Sequence, residues 1–321
     1  MAVGAMWPEQ AGLLERLLWP ALALLLYSTF TQVPLAHLRQ AISDVRFIQA
    51  SVVGNFVLIP AGLWALKGFL PEDAVLRLGI MMVLLAPCTD WFITFAHLGG
   101  GDARYAISFA PISLLLQIIL LPVYLSLLLG EIAAITLARQ EVIVAFVVII
   151  ALPLLGAFIT EKWAEREERR RALLSDLAWG PVPLLGIVIF IIAATQVTLI
   201  ADSIGALGQL LPVYIGFLAL ASVLARLVAR LFKLPPAQGR VLAFSLGTRN
   251  SFVVLPLALA LPATFEMAVV AIVFQSLVEL AGMSFYLWWV PRRLFPQPRD
   301  CALPGTLHSA AESAHSLDKQ T

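Results

Sequence analysis

Nine apolar stretches of about 20 residues, separated by short polar turns, dominate this chain of 321 residues. An α-helix of that length spans the roughly 30 Å hydrocarbon core of a bilayer. The pattern therefore predicts an all-α integral membrane protein with about nine transmembrane helices. We name the stretches M1 to M9 in chain order: 17–36, 47–66, 75–98, 105–129, 141–160, 177–200, 207–231, 237–262 and 266–290.

The composition agrees with a membrane protein and excludes several function classes. Hydrophobic residues make up 60% of the chain and charged residues only 13%, far from the values of soluble domains. The net charge of +1 gives no indication of a nucleic-acid partner. Two cysteines are too few for a disulfide framework. Because the sequence has no GxSxG, HExxH, P-loop or CxxC motif, we expect neither an enzyme, nor a resident metal or cofactor, nor ATP-driven transport.

Lysine and arginine predict the orientation in a cell (inner) membrane. With the N-terminus outside, the loops on the inner side are basic, and residues 162–171 alone contain five Lys and Arg. We therefore expect the N-terminus outside and the C-terminus in the cytoplasm. Residues 1–16 form an N-terminal segment, and residues 291–321 are expected to be a disordered cytoplasmic tail. The outer side keeps only Arg16, Lys67, Arg77 and Arg139.

A short repeat suggests an internal duplication. The tripeptide at residues 31–33, Thr-Gln-Val, recurs at residues 195–197, and the same offset of 164 lays M2 on M7, M3 on M8 and M4 on M9. An offset of five spans reverses the orientation, so the repeats are inverted, as in many secondary transporters. The sequence predicts a first repeat of four helices over 17–129 and a second of five over 141–290. M5 has no partner, and the missing helix would precede M1.

Helix breakers interrupt M3 and M8 at equivalent positions of the two repeats. Pro87 lies in the M3 sequence LLAPCTDWFITF, and Gly247 and Pro256 lie in the M8 sequence FSLGTRNSFVVLPL. Proline removes a backbone donor and disfavours helix at the preceding residue. We expect both helices to be broken and the breaks to line a cavity, because non-helical backbone at membrane depth is tolerated only there. The side chains expected there are Cys88, Thr89 and Asp90 from M3, with Ser245, Thr248, Arg249, Asn250 and Ser251 from M8.

The motifs APCTD, followed by Gly101-Asp102, and GTRNSFVVLPLALALP resemble the arsenical-resistance efflux permease branch of the bile acid/sodium symporter superfamily. The likeness runs from about Leu18 to Pro291. It implies ten helices in two inverted five-helix repeats, with M3 and M8 as the crossing pair. It also implies that Cys88 matches the cysteine that arsenite permeases need, a soft ligand for As(III).

M8 departs from the pattern of both kinds of relative. Arsenite permeases have a glutamate shortly after the Asn, but here Ser251 and then Phe252 follow Asn250. Sodium-coupled relatives have a Glu and a Gln flanking a Gly-Thr pair, where this chain has Ser245 and Arg249. The guanidinium of Arg249 is therefore expected to occupy the space where a relative binds a cation, which argues against sodium dependence.

Arg249 needs a partner, because an arginine at a helix centre costs about 2.5–3.5 kcal/mol on insertion scales. We hypothesise that it pairs with Asp90 or Glu279, and that protonation of the acid, or arrival of an anion, breaks the pair. Gln275 shares a face of M9 with Glu279, one turn earlier. The alternative is a structural ion pair that never moves.

The function favoured by this sequence is secondary transport, exporting arsenite or antimonite in exchange for protons. The main alternative is a sodium- or proton-coupled symporter of small organic anions, in which Arg249 would hold a carboxylate. A channel is disfavoured, because broken inverted helices are typical of alternating access. A receptor or scaffold without transport has nothing in its favour beyond the missing first helix.

Overall fold

Every regular element in the described part of the chain is helical. The computed structural model describes residues 8–33, 44–129, 144, 146–165, 167, 170, 179–195 and 204–296. The helices are α1 (Pro8–Phe30), α2 (Val45–Ala65), α3 (Ala74–Leu84), α4 (Trp91–Leu98), α5 (Ala103–Leu129), α6 (Leu152–Ala164), α7 (Pro181–Thr195), α8 (Ile204–Leu231), α9 (Pro236–Gly247), α10 (Ser251–Leu259) and α11 (Glu266–Trp289). A π-helical segment, Gly54–Leu58, lies inside α2, and another, Val290–Leu294, continues α11.

Five of the described helices are long and apolar enough to cross a membrane, and they correspond to M2, M4, M5, M7 and M9. The chain is thus a multi-pass membrane protein. M3 and M8 each consist of two shorter helices, α3 with α4 and α9 with α10, so they are not among the five. The count of nine spans and the inverted repeat remain predictions, and residues 196–197 of the second Thr-Gln-Val lie outside the described residues.

Two groups of helices pack on either side of α10. α1 packs against α6 and α7, whereas α3 packs closely against α11, and α8 packs against α9 and α11. The contact between α3 and α11 depends on Gly79, where a Cβ atom would lie 2.7 Å from the Cα atom of Ala268. Small residues allow such close helix packing within a membrane. α10 touches both groups, since it contacts α1 as well as α3 and α11.

Arg240 fixes two segments at the membrane surface. Its guanidinium donates to the carbonyl of Gly100 (2.9 Å) and to that of Phe295 (3.0 Å). Gly100 has a φ of 70°, which favours glycine, and lies in the turn between α4 and α5. In the same turn, hydrogen bonds from Arg104 lower the pKa of the Asp102 carboxyl.

Helix extends beyond the predicted bounds at both ends of the described membrane region. α1 begins at Pro8, earlier than the predicted start of M1 at residue 17. The predicted tail also begins too early, because the π-helical turn reaches Leu294, whose side chain is buried. Arg226 stabilises this turn by donating to the carbonyl of Leu294 at 2.5 Å. Residues 297–321 of the predicted tail lie outside the described residues.

Candidate functional site

The breaks in M3 and M8 pair with each other. The first lies between α3 and α4, and the second lies between α9 and α10. The N–H of Cys88 donates to the carbonyl of Thr248 at 3.3 Å, and the N–H of Asn250 donates to that of Ala86 at 2.7 Å. These bonds form an antiparallel bridge between Pro87 and Arg249. Each break thus satisfies backbone groups of the other, which makes irregular chain tolerable inside a membrane.

The break in M8 lies at one of the two predicted breakers. Helix α9 ends at Gly247, and Thr248 is already extended, with φ −98° and ψ 144°. Pro256 instead lies inside α10, so the break predicted there is wrong. A proline can remain inside a membrane helix when the surrounding structure satisfies the freed backbone groups. M8 therefore leaves helical geometry after Gly247, where it meets the break of M3, and not at its proline.

The guanidinium of Arg249 lies at the C-terminal ends of two half-helices. Nη1 donates to the carbonyl of Leu84, the last residue of α3, at 3.2 Å. Nη2 donates to the carbonyls of Ser245 (3.2 Å) and Leu246 (2.6 Å), at the end of α9. Nη2 also donates to Oδ1 of Asn55 at 3.1 Å. The C-terminal end of a helix carries a partial negative charge, so this is a place where a cation is stabilised.

The predicted ion pair between Arg249 and an acid does not form in the described part of the chain. Oε2 of Glu279 accepts the backbone N–H of Arg249 at 2.8 Å, and Nε2 of Gln275 donates to the same oxygen at 2.6 Å. Asp90 hydrogen-bonds Cys88 instead of Arg249. The guanidinium of Arg249 points toward the helix ends, so Arg249 contacts Glu279 through its backbone N–H and not through its side chain. The side chain is only 3% exposed, and the ring of Phe217 lies 5.0 Å from it.

In the first break, a thiol faces a carboxylate. Sγ of Cys88 donates to Oδ1 of Asp90 at 3.1 Å, and Cys88 is 3% exposed. Oδ2 of Asp90 is buried and accepts no hydrogen bond from the described residues. Asp90 directly precedes α4, and negative charge is stabilised at a helix N-terminus.

The remaining predicted side chains lie at the same crossing. Nδ2 of Asn250 donates to Oγ1 of Thr89 at 3.3 Å, which adds a side-chain link between the breaks. Oδ1 of Asn250 accepts the N–H of Val253 at 3.2 Å and caps α10. Oγ of Ser251 donates to Oε1 of Gln275 at 3.0 Å. The hydrogen bonds of the eight predicted binding and coupling residues form three groups at the paired breaks. The largest, which we call the Arg249 network, contains Arg249, Glu279, Gln275 and Ser251. The other two join Asn250 to Thr89 and Cys88 to Asp90.

Asn55 is one member of the Arg249 network that the sequence does not single out. It lies in the π-helical segment of α2, donates to Oγ of Ser245 at 3.0 Å, and accepts from Arg249. Its residue type suggests only a helix-to-helix hydrogen bond. A π-helical turn often marks a functional position, but no residue pattern here predicts one. The described residues contain no group of three or more His, Cys, Asp or Glu that could hold a metal ion.

Comparison with known proteins gives a family match and one distant relative. The sequence profile of the Sodium Bile acid symporter family matches residues 19–203. This region includes the first break, with Cys88, and ends before the second. The chain is also 23% identical over 314 residues to the Arsenical-resistance protein Acr3 of Corynebacterium glutamicum, covering 92% of this chain and 84% of that protein.

Proposed function

Because the chain belongs to the Sodium Bile acid symporter family and is thus a membrane transporter, we propose that it exports arsenite and antimonite across the cell membrane. The hydrogen bond between Cys88 and Asp90 in the first break is the observation that carries this proposal. A thiolate is a soft ligand that suits As(III). The similarity to an arsenical-resistance protein supports the same substrate class.

The thiol binds arsenite by displacing one hydroxide. In As(OH)3 an As–O bond breaks, an S–As bond forms at Cys88, and the thiol proton leaves with the hydroxide as water. Asp90 accepts that proton through Oδ1 and passes it on, because Sγ already points at this oxygen. Oδ2 is available to a second hydroxyl of the substrate. In this proposal Cys88 alone forms an S–As bond to the cargo, so its release stays easy.

The transport cycle rests on a nine-span arrangement with inverted repeats over 17–129 and 141–290 and the N-terminus outside. Two observations support it: the breaks lie at equivalent positions of the proposed repeats, and they pair at one crossing. In such folds one group of helices rocks against the other around a fixed site near the bilayer midplane. Here α10 contacts both groups, so the site lies on their boundary.

Arg249 serves as a built-in cation in this proposal. Its guanidinium donates to the carbonyls of Leu84, Ser245 and Leu246. Without it, these oxygens would be free to coordinate a sodium ion. The covalently attached charge neither binds nor dissociates. Transport is therefore independent of sodium, and protons supply the coupling.

The organic-anion alternative fits these contacts less well. A substrate carboxylate would need free N–H groups on Arg249, but Nη2 donates to three protein oxygens and Nη1 donates to one. The Nε–H and the second N–H of Nη1 have no acceptor among the described residues, and Nε is buried. A bidentate carboxylate contact would first have to break the bonds to the helix ends.

Glu279 is the proposed site of proton coupling, so replacing it with Gln should uncouple transport from the proton gradient. Protonation of Glu279 weakens the bond that holds the Arg249 N–H, and Gln imitates the neutral acid permanently. We expect arsenite transport in vesicles to respond about ten-fold less to an imposed pH gradient. Glu266→Gln, on the same helix, is the matched control. An unchanged response of Glu279→Gln would exclude this role.

The proposed function is tested directly in everted membrane vesicles in sodium-free buffer. Vesicles containing the protein should accumulate arsenite when the vesicle interior is made more acidic than the medium. Control vesicles without the protein should not. Labelled carboxylates should remain outside, with or without sodium. Sodium-dependent uptake of a carboxylate without any arsenite uptake would establish the organic-anion alternative and refute arsenite export.

A further inference from the structure

An apolar groove runs between α8 and α11, outside the crossing of the broken helices. Its volume is about 810 Å³, within the range of roughly 300–1,000 Å³ found for ligand pockets. Aliphatic and aromatic side chains form its walls, among them Ile215 and Leu218 on α8 and Leu277, Phe285 and Trp289 on α11. Ile215, Leu277 and Phe285 are more than half exposed, so this surface is open to its surroundings.

The floor of the groove is closed and offers no free polar group. A Cβ atom on Gly282 would lie 2.3 Å from Cδ1 of Leu218, so the two helices approach closely there. The polar atoms at the floor are paired, since the hydroxyls of Ser222 and Tyr286 lie 2.7 Å apart. A hydrocarbon chain therefore fits this surface better than a polar molecule does.

One end of the groove is basic. At helical spacing, the stripe of α11 that includes Phe285 and Trp289 continues to Arg292 and Arg293. Arg292 donates to the carbonyl of Trp288 at 3.3 Å, and its guanidinium lies 6.0 Å from that ring. A half-exposed Trp at this point marks the level of the lipid headgroups. Arg292 is therefore placed at headgroup depth.

The partner helix ends at the same level with the same charge. Arg226 of α8 donates to the carbonyl of Leu294, which joins the two helix ends, and Arg230 follows one turn later and is exposed. Residues 223–240 and 284–296 contain no Asp or Glu, so neither segment supplies a carboxylate to neutralise these charges. The result is an apolar groove that opens onto exposed guanidinium groups.

We infer that this groove is a binding site for an anionic phospholipid. Its acyl chains lie on the apolar walls, and its phosphate lies against Arg292, Arg293 and Arg230. A zwitterionic lipid gains the same apolar contact but less from the arginines, whereas an anionic headgroup is favoured by about 1 kcal/mol per basic residue, roughly five-fold in affinity. The site is independent of the transported substrate.

Native mass spectrometry of the purified full-length protein tests this site with phosphatidylglycerol and phosphatidylcholine of identical acyl chains. The wild type should retain phosphatidylglycerol preferentially. The double variant Arg292→Gln with Arg293→Gln should lose at least about five-fold of that preference. Lys162→Gln on α6 removes an exposed basic residue elsewhere and should leave the preference unchanged.

A second variant separates this groove from other lipid contacts. Ala281 lines the groove and is exposed, so Ala281→Phe fills it and should reduce retention of both lipids. Equal retention of the two lipids by the wild type would overturn the inference. So would an unchanged preference in the double arginine variant, or an Ala281→Phe protein that keeps its bound lipid.

Discussion

Replacing Arg249 with alanine is expected to abolish arsenite transport in sodium-free buffer and to lower the free energy of unfolding by about 3–5 kcal/mol. The change removes the donor from three carbonyls and from Oδ1 of Asn55, all inside the protein. Leaving buried acceptors without their charged donor strongly lowers the stability of the folded protein. Thermal unfolding in detergent measures the stability, and uptake into everted vesicles measures the transport.

Arg240→Ala is the matched control for this substitution. Arg240 is also buried and also donates to carbonyls, those of Gly100 and Phe295, but it lies away from the crossing. Its removal should lower stability while arsenite transport by the folded fraction persists. Equal transport by the folded fractions of Arg249→Ala and wild type would show that the guanidinium of Arg249 is only structural.

Replacing Cys88 with serine is expected to reduce arsenite resistance to that of cells without the transporter. Serine has nearly the same size and can still donate to Asp90, so the crossing should keep its structure. Its hydroxyl is a hard ligand and does not replace the thiolate on As(III). Growth on arsenite and antimonite, in a strain that lacks its own exporter, measures the effect.

The control uses the second cysteine of the chain. Cys301→Ser removes a thiol from the C-terminal segment and should leave resistance unchanged. Membrane levels of both variants are compared with those of the wild type, so that loss of expression is not mistaken for loss of function. Full resistance with Cys88→Ser at normal levels would contradict the role of the thiol in binding arsenite.

Local sequence signals predict much of this fold because they act over a few residues. Apolar length predicts M2, M4, M5, M7 and M9 as spanning helices, and the described helices agree. Pro87 predicts the first break, because a missing N–H and a steric clash are local effects. The same reasoning fails at Pro256, where the surrounding helices hold α10 together through the proline.

The partners of Arg249 depend on contacts between distant segments. A sequence displays formal charges, so it predicts Asp90 or Glu279 as the partner of the guanidinium. It does not display the partial charges of helix ends, which exist only once α3 and α9 stop at the crossing. The carbonyls of Leu84 and Leu246 therefore compete with the carboxylates for the guanidinium, and the residue pattern does not predict this competition.

The pairing of the two breaks is likewise a tertiary property. The residue types at the crossing predict a polar cavity, but not that the N–H of Asn250 would bond the carbonyl of Ala86. In this register Cys88 bonds Asp90, whereas the guanidinium bonds the carbonyls at the helix ends. Asn55 joins the network through a π-helical turn that its neighbours in sequence do not predict.

Sodium titration of the wild type and of Arg249→Ala tests most directly whether the guanidinium replaces a bound cation at the paired helix ends. The melting temperature of the wild type should be the same in sodium and in choline chloride. Arg249→Ala exposes the carbonyls of Leu84, Ser245 and Leu246 to solvent ions, so sodium should raise its melting temperature as binding saturates. A wild type stabilised by sodium, together with a variant indifferent to it, would contradict the account.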